Sequence, residues 1–438
     1  MKAKAIFLMT ILALGLLLLP ACSDKTKENP TRPVNSLTGL VANSNFSTFS
    51  IFNCTMNDVL AVPREQGNKP YRIYLPPGYF DESQQVTGAP FPILYLFPPF
   101  GADELYYFEH GLTMVADRLI SEGKICPMII VSIDGRSLLG GSFYTDSPRQ
   151  GYYFTALYEN STYTWPTIVP GSLDPIDAEY TAKAFMNMID AVYNALPQPQ
   201  YRAASGIGMG GYGAFKSVLQ TGNFGSVSAV DAPLDFDGNG SGGYLTLIDE
   251  TYPGGDWDLV DTSSTNEAMN IILSASAAFS PHHTAFQVDS IYTDNFGSLS
   301  MGFTVTQTLM DSLAIDSSTL VAKHAVHVPF DVNGDINSAV WGLWMSHNVD
   351  AMYINAPAEP KAAFPAMRKL LVTVENPKYH YDDQMTAFMN FLDANGMEYE
   401  HVHYAGSNVL SGTVDHYLYD IFEDILIFHS ENFRAAGY

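Results

Sequence analysis

Residues 201–215 have the sequence Tyr201-Arg202-Ala203-Ala204-Ser205-Gly206-Ile207-Gly208-Met209-Gly210-Gly211-Tyr212-Gly213-Ala214-Phe215. Small and apolar residues up to Ile207 predict a buried strand, and the glycines after it predict a sharp turn. A helix is expected to begin directly after that turn, near Met209. The stretch therefore indicates a strand that turns abruptly into a helix, and the rest of the chain is organised around it.

The spacing of these glycines matches a turn that carries catalysis in other proteins. In α/β-hydrolases, Gly-x-Ser-x-Gly bends a strand into a helix, at a turn called the nucleophile elbow, and lifts its serine above the sheet. Here Gly206 and Gly210 hold the flanking positions, and Gly208 stands where that serine would be. Glycine has no side chain, so Gly208 cannot form an acyl-enzyme. Ser205 precedes the turn on the strand, and we expect its hydroxyl to point into the interior.

Several stretches together resemble one family of hydrolases. The segment 208–215, with Gly211 at its centre, is similar to the elbow of the esterase D and antigen 85-like esterases. Further similar segments follow in the family's order at 71–79, 91–96, 123–131 and 140–148. The resemblance extends over roughly residues 65–438. It implies an α/β-hydrolase fold, with a mostly parallel sheet flanked by helices.

Alternating strands and helices support the same α/β fold class. Apolar runs predict strands at 71–75, 93–97, 128–133, 203–207, 227–230 and 370–374, and helical apolar spacing is found at 112–122 and 182–196. Residues 232–365 are less regular and rich in Asp, Ser, Asn and Gly. We expect them to form an insertion over the carboxyl edge of the sheet, where α/β proteins bind ligands. The whole of 41–438 is then one esterase-like domain.

The N-terminus has the features of an export signal. Lys2 and Lys4 precede an apolar run that ends at Leu19, and Ala21 and Cys22 follow shortly after it. This order is typical of a bacterial lipoprotein signal, so we expect residues 1–21 to be removed and Cys22 to be lipidated. An ordinary signal peptide with an incidental cysteine is the alternative. The polar residues 22–40 resemble a flexible tether, and the predicted location is the bacterial cell envelope, at its periplasmic face or the cell surface.

The charge of the chain argues against one class of partner. With 46 acidic and 21 basic residues, the formal net charge is −25. Such a surface repels nucleic acid and anionic lipid headgroups, so membrane attachment would depend on the lipid alone. Cys54 and Cys126 would remain after lipidation, either as a disulfide or as two separate buried thiols. The sequence gives no indication of the oligomeric state.

The resemblance implies where the base and the acid of a catalytic triad would lie. The family's histidine follows the last strand, and His416 occupies that place, with His401 and His403 as further candidates. A histidine that merely bridges loops is the alternative for His416. The family's acid follows the strand at 370–374, where the candidates are Glu375, Asp382 and Asp383. The first comes too early and the other two look like helix N-terminal residues, so no acid is convincingly in place.

The loop that supplies oxyanion donors is also altered. In the family it follows the strand at 93–97 with a His-Gly pair, whereas this chain has Pro98-Pro99-Phe100-Gly101. Proline has no N–H group, so two potential donors are missing. Phe100, Gly101 and the Met209 amide remain candidates to bind a carbonyl oxygen or an anion, helped by the helix N-terminus.

Two groups of oxygen-bearing side chains are candidates for calcium. They are Asp235, Asp237 and Asn239, and Asp331, Asn333 and Asp335. The first group has the spacing that opens a calcium loop but lacks an acid at the twelfth position. Runs of Asp, Asn and Gly are also typical of plain turns. We therefore expect no cofactor, with calcium as the alternative.

The combined changes favour an esterase-like protein that no longer hydrolyses esters. In a comparable triad, loss of the serine alone costs about 10⁶ in rate. The hypothesis is a pseudo-esterase, exported and lipid-anchored, that binds a cell-envelope or carbohydrate-linked ligand. Active relatives cleave acyl or aromatic esters on carbohydrates, so the resemblance implies a glycan or acylated glycan as the ligand. The alternative is an active carboxylic-ester hydrolase in which His416 or a metal activates water.

Overall fold

A computed structural model describes the chain at residues 23–27, 47–51, 67–80, 86, 90–137, 139–147, 150–159, 161–167, 176–182, 184–238, 243–251, 267–281, 286–293, 299–305, 320–321, 326–331, 333–374, 381–405 and 417–438. Several residues singled out above lie outside these ranges, namely Cys22, Cys54, Asn239, Glu375 and His416. The predicted signal peptide, residues 1–21, also lies outside them.

The described strands and helices alternate along much of the chain. The strands are β1 (Ser23–Lys27), β2 (Ser47–Ile51), β3 (Gly67–Tyr74), β4 (Ile93–Phe97), β5 (Ile129–Ile133), β6 (Asp146–Ser147), β7 (Gly151–Tyr152), β8 (Ser161–Thr167), β9 (Ile176–Ala182), β10 (Arg202–Ile207), β11 (Ser226–Val230), β12 (Phe286–Thr293), β13 (Leu299–Val305), β14 (Leu320–Val321), β15 (Val326–His327), β16 (Arg368–Val374) and β17 (Glu400–Tyr404). The α-helices are α1 (Tyr106–Glu109), α2 (Leu112–Ser121), α3 (Tyr153–Tyr158), α4 (Phe185–Val192), α5 (Met209–Thr221), α6 (Gly243–Thr251), α7 (Glu267–Phe279), α8 (Ser338–Met345), α9 (Val349–Asn355), α10 (Ala358–Ala363), α11 (Tyr381–Ala394) and α12 (Leu418–Ala435).

One large sheet organises the fold. Its strand order is β1-β17-β16-β11-β10-β4-β5-β3-β2. Neighbours are parallel except β3, which runs antiparallel to both β2 and β5. The central strands β4, β5, β10 and β11 are buried along their whole length, as expected for a parallel sheet covered on both faces. The predicted α/β-hydrolase class, a mostly parallel sheet flanked by helices, is confirmed.

Helices cover both faces because side chains alternate along each strand. Leu94 and Leu96 of β4 lie in a core with α2 and α12. Tyr95 and Phe97 of the same strand lie in a second core with α5 and α11. In α5 every residue from Met209 to Leu219 is buried. The elbow helix is therefore enclosed between the sheet and the elements that pack over it.

The elements between β11 and β16 contribute no strand to the large sheet within the described part of the chain. They pack instead on the elbow helix through aromatic side chains. The Tyr212 ring of α5 lies 5.8 Å from Phe236 and 5.7 Å from Phe279, between ring centroids. Its hydroxyl donates to the His347 carbonyl at 3.0 Å. These contacts fix this part of the expected insertion, residues 232–365, against α5.

The N-terminal stretch expected to be a flexible tether, residues 22–40, contains β1. That strand pairs in parallel with β17 at the edge of the sheet, and the rest of the stretch lies outside the described residues. Cys126 is a buried free thiol that accepts a hydrogen bond from the Ser430 hydroxyl at 3.3 Å. Among the described helices, none combines the length and apolarity needed to cross a membrane.

Candidate active site

Gly208 lies at the apex of the turn between β10 and α5. Its backbone angles are φ 54° and ψ −123°, a conformation that side-chain-bearing residues rarely adopt. The Gly208 amide donates to the Val230 carbonyl at 2.8 Å, and its carbonyl accepts from Gly211 at 3.0 Å and Tyr212 at 3.3 Å. The turn is thus anchored to the neighbouring strand on one side and to the helix on the other.

A side chain would fit at the apex but not at the flanking glycines. A Cβ atom at Gly206 would overlap the Gly210 backbone, and one at Gly210 would overlap the Phe97 carbonyl oxygen. At Gly208, by contrast, the nearest atom to an added Cβ is Pro99 Cβ at 3.7 Å. The frame of the elbow therefore requires glycine because backbones approach closely, whereas the apex does not lack space.

Three elements border the apex. Pro99 comes from the loop after β4, Tyr381 is the first residue of α11, and Asp231 directly follows β11. A Cβ at Gly208 would lie 3.8 Å from Tyr381 Cε2 and 3.9 Å from the Asp231 carbonyl oxygen. Both residues are buried, with 6% and 2% of their surfaces exposed. The apex is consequently surrounded by the carboxyl-edge loops of several neighbouring strands.

The loop after β4 retains few free donors. Pro98 and Pro99 have no N–H group, and the Gly101 amide donates to the Gly140 carbonyl at 3.0 Å. Gly101 is therefore engaged within the protein and is not available to a ligand. The Phe100 amide has no acceptor among the described residues. Met209 is the first residue of α5, so its amide has no acceptor within the helix.

The side chains of Phe100 and Met209 pack together against the loop after β5. A Cβ at Gly141 would lie 2.6 Å from Phe100 Cδ2 and 2.5 Å from Met209 Sδ, so only glycine permits this packing. The Met209 sulfur also accepts from the Phe143 amide at 3.3 Å. Both side chains are thus directed into the protein, which leaves their backbone amides as the groups able to bind a ligand.

Backbone strain is concentrated around the elbow. Among the described residues other than glycine, a positive φ occurs only at Phe143 (50°), Tyr144 (48°) and Asp231 (43°). The Tyr144 ring packs at 4.9 Å from Phe97, and its hydroxyl donates to the Pro98 carbonyl at 3.2 Å. Such conformations persist only where surrounding contacts enforce them, and they cluster at functional sites. The structure therefore maintains a strained geometry here although the serine is missing.

A buried lysine supports this strained loop from the elbow helix. Lys216 is 4% exposed, and its ammonium donates to the Thr145 hydroxyl at 2.6 Å and lies 5.5 Å from the Phe154 ring centroid. Burial lowers the pKa of Lys216 to about 8, against a smaller opposing effect of Asp146. The side chain therefore links α5 to the residue that follows Phe143 and Tyr144.

Ser205 belongs to a closed hydrogen-bond cluster and not to the apex. Its hydroxyl accepts from Ser228 at 2.6 Å, and the Ser228 hydroxyl also bonds His429 Nε2 at 2.9 Å. Ser226 bonds the other ring nitrogen, Nδ1, at 2.8 Å. All four residues are buried, and burial lowers the pKa of His429 to about 3. The prediction that Ser205 points inward is confirmed.

The other candidate triad residues take separate positions. His401 Nε2 and His403 Nδ1 both bond the Thr373 hydroxyl, at 2.8 and 2.9 Å, across β16 and β17. Asp382 and Asp383 lie in the first turn of α11, as their sequence suggested. His416 lies outside the described residues, so its role as the base remains a prediction.

Two of the calcium candidates, Asp331 and Asp235, use their carboxylates to cap turns. Asp331 Oδ1 accepts from the amides of Asn333 at 2.8 Å and Asp335 at 3.0 Å. Asp235 Oδ1 accepts from the Asp237 amide at 3.1 Å and from Asn348 Nδ2 at 3.3 Å. Within the described part of the chain, no three His, Cys, Asp or Glu side chains converge as a metal site would require. Such contacts are typical of plain turns, in which a carboxylate accepts hydrogen bonds from amides of the same turn.

Tyr381, which borders the apex, and Gln384, which is buried on the same helix, were not identified from the sequence. Tyr381 borders Gly208, and Gln384 follows it by one turn on the buried face of α11. Gln384 is fully buried, and neither of its amide atoms has a hydrogen-bond partner among the described residues. The sequence does place Gln384 at a position of α11 where an apolar residue is expected. That is the signal that could have identified it, since polar side chains are rarely buried without hydrogen-bond partners.

Comparison with known proteins places this site in context. Residues 66–268 match a protein-family model described as "Putative esterase". A solved ferulic acid esterase is 14% identical, covering 89% of this chain and 98% of that chain, with a TM-score of 0.47. FphF, a fluorophosphonate-binding serine hydrolase from Staphylococcus aureus, is 13% identical over 89% and 99%, with a TM-score of 0.46. The S-formylglutathione hydrolase FrmB from Staphylococcus aureus is 12% identical over 88% and 100%, with a TM-score of 0.42. The family match confirms the predicted resemblance to esterases.

Proposed function

We propose that this esterase-like chain is a pseudo-esterase that binds a carbonyl-bearing ligand at its former active site without hydrolysing it. The observation that carries the proposal is Gly208 at the apex of an otherwise intact elbow. The position that would supply the attacking oxygen has no side chain, while the helix N-terminus and the Met209 amide remain. The site thus keeps groups that bind a carbonyl oxygen and lacks the group that would attack its carbon.

Retention of the surrounding geometry supports binding over simple decay of the site. The three strained residues, Phe143, Tyr144 and Asp231, each cost of order 1–3 kcal/mol, which a protein without use for the site has no reason to keep. The flanking glycines also preserve an elbow in which the Phe97 carbonyl meets the helix backbone. Ligand binding gives this strained arrangement a purpose that does not depend on a nucleophile.

The proposal includes the cell envelope as the place of action. The lipoprotein-type signal before Cys22 supports export and lipid attachment, and the net charge of −25 disfavours nucleic acid as a partner. A glycan or acylated glycan is the ligand class that the resemblance to carbohydrate esterases supports. Substitution Cys22→Ser should release the protein from the membrane fraction. A wild-type protein found only in the soluble fraction would contradict the anchoring.

Hydrolysis and covalent labelling test the proposal directly. Purified wild type should show no labelling by a fluorophosphonate and no turnover of an activated aryl acetate above background, with an active serine hydrolase as the positive control. His416→Ala should then behave like wild type in this assay. Clear turnover that disappears in His416→Ala would refute the pseudo-esterase and establish hydrolysis by activated water instead. Turnover that disappears on chelation would favour a metal.

A further inference from the structure

The Gly141 carbonyl, in the loop after β5, accepts hydrogen bonds from three buried side chains. The donors are the Ser137 hydroxyl at 2.6 Å, Gln150 Nε2 at 3.0 Å and the Ser274 hydroxyl. A carbonyl oxygen has two lone pairs, so three donors are more than it needs to be satisfied. Ser137 belongs to the same loop, whereas Ser274 lies in α7, 133 residues further along the chain. The expected insertion therefore contacts this loop directly.

Two further contacts join α7 to the same loop. The Ser147 hydroxyl donates to the Ala277 carbonyl at 2.5 Å. The Phe279 ring lies 5.1 Å from the Phe143 ring, between centroids. Phe143 has a φ of 50°, which a residue with a side chain keeps only where surrounding contacts enforce it. Helix α7 therefore supplies contacts that hold the loop in its strained form.

The same loop contacts two of the segments that border the apex. The Gly140 carbonyl accepts from the Gly101 amide at 3.0 Å. A Cβ at Gly140 would lie 2.6 Å from Phe100 Cζ, and one at Gly141 would lie 2.5 Å from Met209 Sδ. The backbone of residues 140–141 thus touches the loop after β4 on one side and the first residue of α5 on the other. A displacement of this backbone would displace both.

We infer that Ser274 is a positioning residue, which fixes the loop after β4 and the Met209 side chain through the Gly141 carbonyl. The inference rests on the proposed function for its role in ligand binding, because it identifies the part of the insertion that holds the same site in shape. Loss of the Ser274 hydroxyl would also remove an acceptor from Gln150, whose Nε2 lies 3.3 Å from Ser274 Oγ. The contacts around Gly141 therefore depend on one another.

The variant Ser274→Ala tests the link, and Ser276→Ala is its matched control. Both serines are fully buried in α7, with exposed fractions of 0%. The Ser276 hydroxyl, however, donates to the Ile272 carbonyl of its own helix at 2.8 Å. Each substitution removes one buried hydroxyl from the same helix, and only the first removes a contact with Gly141. A difference between the two variants at the site is then not a general effect of losing a buried hydroxyl.

Nuclear magnetic resonance of the methionine methyl groups reports the position of Met209. Its signal is assigned by its absence in Met209→Leu, and the neighbouring Phe100 ring makes it sensitive to their separation. We expect Ser274→Ala to shift or broaden this signal. Hydrogen exchange of the Gly101 amide should accelerate by about tenfold, as loss of one buried hydrogen bond predicts. Ser276→Ala should change neither measurement.

Gln150→Leu breaks the same link from its other side. The Gln150 amide donates to the Ser274 carbonyl at 2.9 Å as well as to Gly141. This variant should shift the Met209 signal as Ser274→Ala does, and it decides the question if Ser274→Ala does not give folded protein. An unchanged Met209 signal in these two variants, or an equal change in Ser276→Ala, would overturn the positioning role.

The outcome is distinguishable from that of the proposed function. Neither measurement uses a ligand or an ester, so the position of Met209 is followed whether or not the chain hydrolyses esters. Ester turnover by wild type would overturn the pseudo-esterase and leave the positioning role of Ser274 in place. A Met209 signal that ignores Ser274 would do the reverse.

Discussion

The apex of the elbow and the buried cluster around His429 each hold part of the chemistry of a serine hydrolase. At the apex the sharp turn at Gly208, with φ 54°, and the helix N-terminus are present, but a hydroxyl is not. In the cluster, Ser226 and Ser228 bond both nitrogens of His429, but every member is buried. One region has the catalytic geometry without the nucleophile, and the other has the Ser–His hydrogen bond without access.

The difference shows that a serine–histidine contact is not by itself an active site. A general base must accept a proton near the working pH, and burial holds the pKa of His429 at about 3. Both of its ring nitrogens are already occupied by hydroxyls of β11. The cluster fixes α12 to the centre of the sheet. The apex, in contrast, is bordered by Asp231, whose φ of 43° is strained for a residue with a side chain.

The largest expected effect comes from the frame of the elbow. Gly210→Ala places a Cβ atom against the Phe97 carbonyl oxygen, where neither backbone can move away. We expect destabilisation of more than about 3 kcal/mol, or loss of soluble protein. Urea unfolding measures it, with Gly208→Ala as the matched control, since the apex has space and only backbone strain opposes that change. Equal losses in the two variants would contradict the distinction between frame and apex.

Acidic pH should destabilise the protein through the buried cluster around His429 and leave the apex unaffected. The folded pKa of His429 is about 3 against 6.5 for an ordinary histidine, so the unfolded chain binds more protons between these values. Stability from this residue is full above pH 6.5 and is lost as the pH falls toward 3. At pH 4 the loss is about 3 kcal/mol. His429→Leu should be less stable than wild type at pH 7, yet its stability should fall less on acidification; parallel pH profiles would refute this.

Restoring the nucleophile tests the apex alone. Gly208→Ser adds a side chain at φ 54°, and the strain should cost roughly 1–3 kcal/mol. Ester turnover should remain near background because Pro98 and Pro99 supply no donors and no acid is established. Thermal unfolding and aryl acetate hydrolysis are the measurements. Strong turnover by this single variant would show that the remaining machinery is intact.

Calcium should have the smallest effect. The Asp331 and Asp235 carboxylates already accept backbone amides within their own turns. Millimolar calcium should therefore leave the Tm of wild type unchanged, as it should that of Asp331→Asn. A ligand that binds only the folded state raises the Tm progressively as its concentration increases, so a calcium-dependent rise lost in the variant would establish a site.

Strong periodic patterns allowed much of the fold to be predicted from sequence. The strand expected at 93–97 is β4, and the helix expected at 112–122 is α2, Leu112–Ser121. Buried parallel strands and amphipathic helices can be recognised from the spacing of their apolar residues, without knowledge of their tertiary contacts. The elbow could also be predicted from the sequence, because close backbone contacts allow only glycine at its flanking positions.

The polar contacts of the site could not be predicted in the same way. His429 bonds Ser226, which lies 203 residues away in the sequence, and nothing in the local sequence of α12 indicates that partner. Tyr381 reaches the apex only because α11 begins beside the end of β11, which is a property of strand order. The engagement of the Gly101 amide by Gly140 likewise depends on two loops that meet in space. Such pairings are set by tertiary structure, which periodicity does not encode.

Glycine at φ 54° has an evolutionary consequence for this chain. A serine at the elbow of an active hydrolase holds a strained backbone because hydrolysis requires it, and selection retains that cost. Once turnover is no longer selected, replacement by glycine at the same turn relieves roughly 1–3 kcal/mol, so the mutation is favoured on stability alone.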